Sequence, residues 1–413
     1  MSARGTLGPV LLVSHVSPVP ASAGNEVRLA KLLAWLRGEG WRTILLLNAQ
    51  VPDPETLEAI RALVDDLHFV GEFQGRVEDG PSGAASLLEK VGMRLPVIGR
   101  RLEAQRIKGS LAPPALVEGT SILCREHAVR AVIVEYIFAS PCLRAVPEGI
   151  LTMIDTIDMF CLKKSQVLRH GIRDPFHCTR GEERRALLRA EVIIAIQERE
   201  AALFEALVPE REVISVGMDL DGTRSGAASP GGTAVLVVGS DNPLNIHGLR
   251  SFLAEAWPSI RRAHPESTLR VVGKLAGHVG AEGGGVVPVG WVPDLDEEYR
   301  RAGVVINPTV AGTGLKIKSV EALSRGKALV TTVNGADGLG PTGTIPCRVC
   351  GDWGSFAREV ISLLDSEELR RELGERARIH AAERFSPARV YAPLAAALGR
   401  AKTGAGSTAG PVP

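Results

Sequence analysis

The sequence predicts an α/β protein of two doubly wound domains, and three observations carry that expectation. Residues 303–332 read as strand, glycine turn, helix and strand; residues 9–47 read as strand, helix and strand; and residues 217–233, rich in Gly, Ser, Ala and Asp, interrupt the pattern near mid-chain. With 413 residues the chain exceeds what one hydrophobic core holds, about 250–300 residues. Two domains of about 200 residues follow, with the linker inside 217–233.

Taken in order, Pro-Val-Leu-Leu-Val at 9–13 is a buried strand. A loop at 14–25 leads to a helix whose Val27, Ala30, Leu32, Leu33 and Leu36 form one apolar side, ended by Gly40. Residues 41–47 are the second strand. The loop lacks the G-x-G-x-x-G spacing, which argues against a dinucleotide cofactor. Residues 87–111 turn helical and basic, with Lys90, Arg94, Arg100, Arg101, Arg106 and Lys108 against Glu89 and Glu103. Such a stretch reads either as a membrane-surface element or as a solvated helix face. Strands at 130–135 and 150–155 each end in an acid, and Asp155 and Asp158 lie past a strand's carboxyl end, where an α/β domain places its chemistry. Helix capping is the competing explanation for either aspartate. A helix at 182–189, a strand at 191–196, read as the last of this half, and a helix through 207 follow.

The second half restarts with a strand at 234–239, a loop at 240–248, one helix over 249–263, and strands at 269–273 and 286–290. Then comes the most informative stretch. Gly303-Val-Val-Ile306 is a short β-branched strand stopped by Pro308; Gly312 and Gly314 open a turn in which no Cβ obstructs a ligand; Ile317, Val320 and Leu323 give a helix its apolar stripe; Gly326 ends it before the strand 328–332. In parallel sheets ligands sit at the carboxyl ends of strands against helix N-termini, so the 312–318 turn is the default binding site. A charged helix spans 366–383, Ser386-Pro387 starts a last helix, and 402–413 carries no apolar anchor.

Composition narrows the field. A net charge of +1 argues against general nucleic-acid binding, and six scattered cysteines, of which only Cys347 and Cys350 are close, give no zinc site and suit a reducing compartment. The start has too short an apolar core for a signal peptide and no run reaches transmembrane length, so a cytoplasmic protein is expected. No P-loop, Ser-His-Asp order or metal-ligand cluster is present.

The run Gly-Thr-Gly-Leu-Lys-Ile-Lys-Ser-Val-Glu-Ala-Leu-Ser-Arg-Gly-Lys at 312–327, followed by Val-Thr-Thr, resembles the donor segment of family 4 glycosyltransferases of the GT-B fold. Weaker likeness extends to 234–250 and 150–160. The resemblance implies two Rossmann-like doubly wound domains facing across a cleft: an acceptor-side domain at 1–217, a nucleotide-sugar domain at 218–385, a terminal helix at 386–401 returning to the first domain, and a disordered tail at 402–413. Glu321 falls on the second carboxylate of the family's Glu-x7-Glu pair, which holds the donor ribose; Thr313 stands where the first carboxylate contacts the donor sugar. Gly24 and Asn25 match the first loop, whose glycine backbone meets the donor phosphates, with a plain turn as the alternative. Ser240 replaces an arginine that neutralises the diphosphate, and the companion lysine falls near Asn245 and His247. The segment 291–299, with Val292, resembles the one whose backbone cups the base. Ile157 replaces the His of an Asp-Thr-His-Asp segment, leaving Asp158.

The expected site is therefore Asp158, Thr313 and Lys318 for catalysis, with Gly24, Asn25, Ser240, Asn245, His247, Val292, Gly312, Gly314, Leu315, Lys316 and Glu321 for substrate binding and no metal or other cofactor. Lys316 or Lys318 is expected to replace the absent arginine as the diphosphate clamp. The implied activity is transfer of a hexosyl group, with retention, from a nucleotide-sugar to an acceptor hydroxyl on a glycan or lipid-linked acceptor in cell-surface polysaccharide or glycolipid assembly. In enzymes with lipid-linked acceptors the first domain carries basic patches, so 90–108 would meet an anionic membrane at its inner face. A non-catalytic nucleotide-sugar-binding protein and a nucleotide-sugar epimerase are the alternatives.

Overall fold

The computed structural model describes residues 7–21, 23–76, 111–172, 178–220, 231–280, 284–341 and 343–402. The basic stretch 90–108, most of the expected linker and residues 403–413 lie outside them. Among the described residues the chain forms two compact units, one of 7–161, 178–216 and 392–402, the other of 162–172 and 217–391. Residues 162–172, assigned from sequence to the first domain, thus group with the second unit. The last helix passes from one unit to the other after Tyr391.

Unit 1 has strands β1 (Pro9–Ser14), β2 (Arg42–Leu47), β3 (Asp66–Phe69), β4 (Ala131–Glu135), β5 (Leu151–Asp155), β6 (Val192–Ala195) and β7 (Glu212–Ser215). Its helices are α1 (Gly24–Gly38), α2 (Pro54–Arg61), α3 (Pro114–Glu126), the start of α4 (Phe160–Arg169), α5 (Arg180–Leu187) and α6 (Glu198–Leu207). The seven strands run parallel in the order β3-β2-β1-β4-β5-β6-β7. β1 and β4 are buried along almost their whole length because helices cover both sheet faces, which is why both read as unbroken apolar runs. Leu29, Leu32, Leu33 and Leu36 of α1 pack inward as the helical spacing predicts. Thr179 and Glu182 form a reciprocal capping box that starts α5.

Unit 2 has β8 (Ala234–Val238), β9 (Leu269–Val272), β10 (Val286–Gly290), β11 (Ala302–Asn307), β12 (Ala328–Thr332) and β13 (Arg348–Cys350), in the order β10-β9-β8-β11-β12-β13. Its helices are α7 (Pro243–Glu255), α8 (Trp257–Ala263), α9 (Leu295–Arg301), α10 (Ile317–Ser324), α11 (Trp353–Asp365), α12 (Glu367–Arg384) and α13 (Pro387–Lys402), the last shared with unit 1. Val237, Phe252, Ile306, Val330 and Val360 meet in one core, each burial stabilising by roughly 2 kcal/mol. The single helix expected over 249–263 is two helices. Asn242 caps α7, accepting from the Leu244 N–H at 2.9 Å with Pro243 at the first helical position, and Pro258 lacks the N–H that a continuous helix needs. Asn245 and His247, read as loop residues, are therefore helical.

Each sheet has the same switch in strand order. The chain moves outward from β1 to β3 and returns on the other side at β4; in unit 2 it does so from β8 to β10 and returns at β11. In doubly wound sheets the ligand crevice opens at this reversal, beyond the carboxyl ends of the two central strands.

Candidate active site

At the reversal of unit 2, β11 leads into the turn 308–316 and then α10. Gly312 and Gly314 take φ of 117° and 76°, left-handed conformations that a Cβ disfavours. Gly248 of α7 lies so close to the strand exit that a Cβ there would stand 2.3 Å from the Pro308 carbonyl oxygen, which brings α7 against the turn.

A buried polar network that sequence reading missed fixes the turn. Asn307 donates to Ser319 Oγ at 2.7 Å, while its side-chain oxygen accepts from Thr309 Oγ1 at 2.7 Å and from the Thr309 N–H at 3.2 Å. Ser319 donates on to the Gly335 carbonyl at 2.8 Å, and Asn334 Nδ2 donates to the Gly312 carbonyl at 2.9 Å. The loop is thus set by side chains from three segments, although Asn334 Oδ1 is buried without a hydrogen-bond partner among the described residues. The only sequence signal was polarity: Asn307 and Thr309 break an apolar strand at its end.

The two lysines differ. Lys316 is buried and folds back on the turn, donating to the carbonyls of Thr313 at 2.9 Å, Gly314 at 3.2 Å and Gly312 at 3.3 Å. Its ammonium thereby meets the carbonyl side of the turn. Lys318, half-buried in the first turn of α10, donates to Asn245 Oδ1, and Asn245 Nδ2 donates to both Ser240 O and Ser240 Oγ at 3.2 Å. Burial, with Lys316 beside it, pushes the Lys318 ammonium down to about 7. Ser240, Asn245 and Lys318, three expected residues, thus form one chain across the reversal.

His247 stands apart from that chain. Its ring lies 5.2 Å from that of His170, and burial together with His170 lowers its pKa. Glu321 is half-buried on α10, with Tyr299 Oη 3.5 Å from its carboxylate; Arg325 lies 4.5 Å over the Tyr299 ring and donates to Asp296 at 2.8 Å. This cluster ties α10 to α9. Val292 is half-buried, and its neighbour Trp291 is 74% exposed just past the carboxyl end of β10. Leu315 is buried, whereas Thr313 is half-buried.

At the reversal of unit 1 the strand ends carry acids. Glu135, buried at the end of β4, accepts a hydrogen bond from Ser14 Oγ at the end of β1, and burial pushes its carboxyl up to about 8. The other Glu135 oxygen and His15 Nδ1 are buried without a hydrogen-bond partner among the described residues. Burial holds His15 down to about 4, and its ring packs 4.9 Å from that of Tyr136. Asp155 is no helix cap: it accepts from Arg28 Nε at 2.8 Å and Nη2 at 2.9 Å, and the same Nη2 donates to the Val216 carbonyl at 2.9 Å. Ile157 has φ of 62° in a three-residue turn closed by the Asp158 N–H on the Thr156 carbonyl at 2.6 Å. For a β-branched residue this backbone is strained, and it leaves Asp158 half-buried beyond the strand. Gly24 and Asn25 are the first residues of α1, not loop residues; Ala23 precedes them, its N–H donating to Glu26 at 2.9 Å. Sequence reading missed Ser14, His15, Arg28 and the pairing of Glu135, because adjacency of β1 and β4 is a property of sheet order.

Among the described residues no three His, Cys, Asp or Glu side chains are grouped to hold a metal ion. Nor is any described helix long and apolar enough to cross a membrane.

Residues 232–366 match the family Glycosyl transferases group 1. No curated protein matches the chain. Among solved structures the chain is similar to TarM of S. aureus in complex with UDP, alpha-GlcNAc-glycerol and fondaparinux (TM-score 0.68, 9% identity, 95% of this chain and 99% of that one). It is also similar to HepE of Anabaena in complex with UDP and glucose (TM-score 0.63, 14% identity, 95% and 99%) and to sucrose-phosphate synthase of Thermosynechococcus elongatus (TM-score 0.62, 15% identity, 95% and 98%). Two parallel sheets of seven and six strands with these neighbours make the architecture GT-B.

Proposed function

We propose that the protein is a glycosyltransferase whose second unit binds a nucleotide-sugar at the 312–318 turn and passes a hexosyl group to an acceptor hydroxyl. The observation that carries this reading is Lys318: a half-buried ammonium near neutrality, in the first turn of a helix, held by the neutral amide oxygen of Asn245 beside two left-handed glycines. A cation there is disfavoured by the helix dipole and by desolvation, and an anion between it and the turn N–H groups relieves both. In this reading Lys318 stabilises charge developing on the leaving diphosphate, Glu321 takes the ribose hydroxyls, and the base lies near Val292. The acceptor meets unit 1 near Asp158, and no metal is required because Lys318 and the α10 N-terminus supply the positive charge. Similarity to proteins solved with UDP supports a uridine nucleotide. Retention, a glycan or lipid-linked acceptor, a role in cell-surface polysaccharide or glycolipid assembly, and a cytoplasmic setting with 90–108 at the inner membrane face belong to the same proposal.

A second reading, a non-catalytic nucleotide-sugar binder, is favoured by one observation: Lys316 is engaged with three backbone carbonyls. Donor hydrolysis without acceptor separates the two. The direct test is binding of UDP and UMP to wild type, Lys318→Met and Glu321→Gln. Lys318→Met is expected to weaken UDP far more than UMP. Glu321→Gln should weaken both by about 1–3 kcal/mol, the cost of leaving buried polar groups poorly paired. Equal UDP and UMP losses in Lys318→Met, or none, contradict the clamp.

A further inference from the structure

Gly312 is buried, and its N–H, in the turn at the reversal of unit 2, donates to a residue that no likeness to a donor segment singles out. The acceptor is Oε1 of Gln166, 146 positions earlier in the chain, at 3.0 Å. Gln166 is half-buried on α4, in the portion of that helix that belongs to unit 2. The carbonyl side of the same turn is occupied by the Lys316 ammonium and by Asn334. What the turn offers a ligand is therefore its N–H side, and there a neutral side-chain oxygen already sits.

We infer that Gln166 is an intramolecular stand-in for a phosphate oxygen: it satisfies the Gly312 amide when no donor is bound and is displaced when the diphosphate arrives. The inference rests on the nucleotide reading of the turn given above. A buried N–H without an acceptor is costly, so an empty turn of this geometry needs a partner. A phosphate oxygen is the stronger acceptor because its bond to the N–H is charge-assisted, so exchange runs toward the ligand. Gln166 then sets donor affinity by competition, and it rejects weak neutral ligands that cannot repay the lost bond.

The test compares wild type, Gln166→Ala and Gln166→Glu, each checked for cooperative thermal unfolding. UDP affinity is measured by calorimetry, and deuterium uptake is followed in the UDP-free peptide covering 308–316. Gln166→Ala should bind UDP roughly two- to tenfold more tightly, the worth of one net hydrogen bond, and should exchange the turn amide faster. Gln166→Glu should bind UDP more than roughly tenfold more weakly, since its carboxylate holds the N–H better and repels the diphosphate. Weaker UDP binding by Gln166→Ala overturns the proposal and makes Gln166 a residue that positions the turn. Unchanged exchange in Gln166→Ala overturns the cap itself. UDP affinity equal in wild type and Gln166→Ala overturns the competition alone, whereas no UDP binding by any of the three chains overturns the nucleotide reading beneath it.

Discussion

The two strand-order reversals have the same topology and opposite chemistry. At the end of β1, β4 and β5 polar side chains close on one another: Arg28 grips Asp155 through two nitrogens, and Ser14 bonds Glu135. At the end of β8 and β11 the polar groups are backbone amides, a neutral asparagine and lysines, and Lys318 has no carboxylate partner among the described residues. In the first arrangement the Arg28–Asp155 pair answers its own charge, although one Glu135 oxygen and His15 Nδ1 are buried without a hydrogen-bond partner among the described residues. The second leaves a cation against a neutral amide at a helix N-terminus, which suits an anionic ligand. Fold alone therefore does not distinguish the two reversals; the proposal that the second one takes phosphate rests on their charge inventory.

The largest way to break this contrast is to open the closed ion pair. Arg28→Met leaves the Asp155 carboxylate buried and without its bidentate partner, and the expected loss of stability in urea unfolding is about 3–5 kcal/mol. Arg28→Met with Asp155→Leu removes both charges and should recover most of that loss. A single variant within about 1 kcal/mol of wild type would mean that the pair adds nothing to the unit.

How much of this was legible beforehand follows from what each feature depends on. Strands such as β1, β4 and β11 are unbroken apolar runs, so their burial and parallel pairing were readable from composition. The 312–318 turn was readable because glycine at a φ the other residues avoid leaves a mark in sequence. The partners of the turn were not: Gln166 and Asn334 are brought to it from distant segments, and Asn245, expected at the site, carried no local sign of its bond to Lys318. Lys316 and Lys318 looked equivalent for the same reason. Two residues of spacing rotate one ammonium onto the turn's carbonyls and the other toward α7. Asp155 was misread between chemistry and capping because its partner, Arg28, lies on the opening helix.

The next contrast is in pH. Glu135 is raised by burial, opposed by the Ser14 hydrogen bond and reinforced by Asp155, to about 8. An acid raised in the native state is protonated there while the unfolded chain ionises above about 4.3, so stability falls as pH rises toward 8 and the dependence ends above it. Between pH 5 and pH 8 the loss attributable to Glu135 is roughly 3–4 kcal/mol, at about 1.4 kcal/mol per pH unit for one proton and less at both ends of the range. Glu135→Gln, shaped like the neutral acid, should remove it. The measurement is the wild-type minus Glu135→Gln difference in unfolding free energy across that range, which should slope downward; a flat difference shows that Glu135 ionises alike in both states.

Lys318 should give the smallest effect, and the opposite sign. Its native pKa, about 7, lies below the unfolded lysine value of about 10.4, so between those pH values the unfolded chain holds a proton that the native state has released. Stability attributable to Lys318 therefore rises from pH 7 toward pH 10. Because the side chain is half-buried and solvent screens part of the shift, about 1 kcal/mol is expected over that range. Lys318→Met should abolish the slope and be at least as stable as wild type at pH 7. UDP sharpens the comparison further. A diphosphate beside Lys318 favours the charged ammonium, so at pH 8, where the empty site is largely neutral, binding should take up most of one proton. Calorimetry in buffers of different ionisation enthalpy reads that uptake directly, and Lys318→Met should lose it. If wild type and Lys318→Met take up the same number of protons, the cation at this reversal does not meet the phosphate, and the contrast between the two strand ends would rest on the backbone of the turn alone.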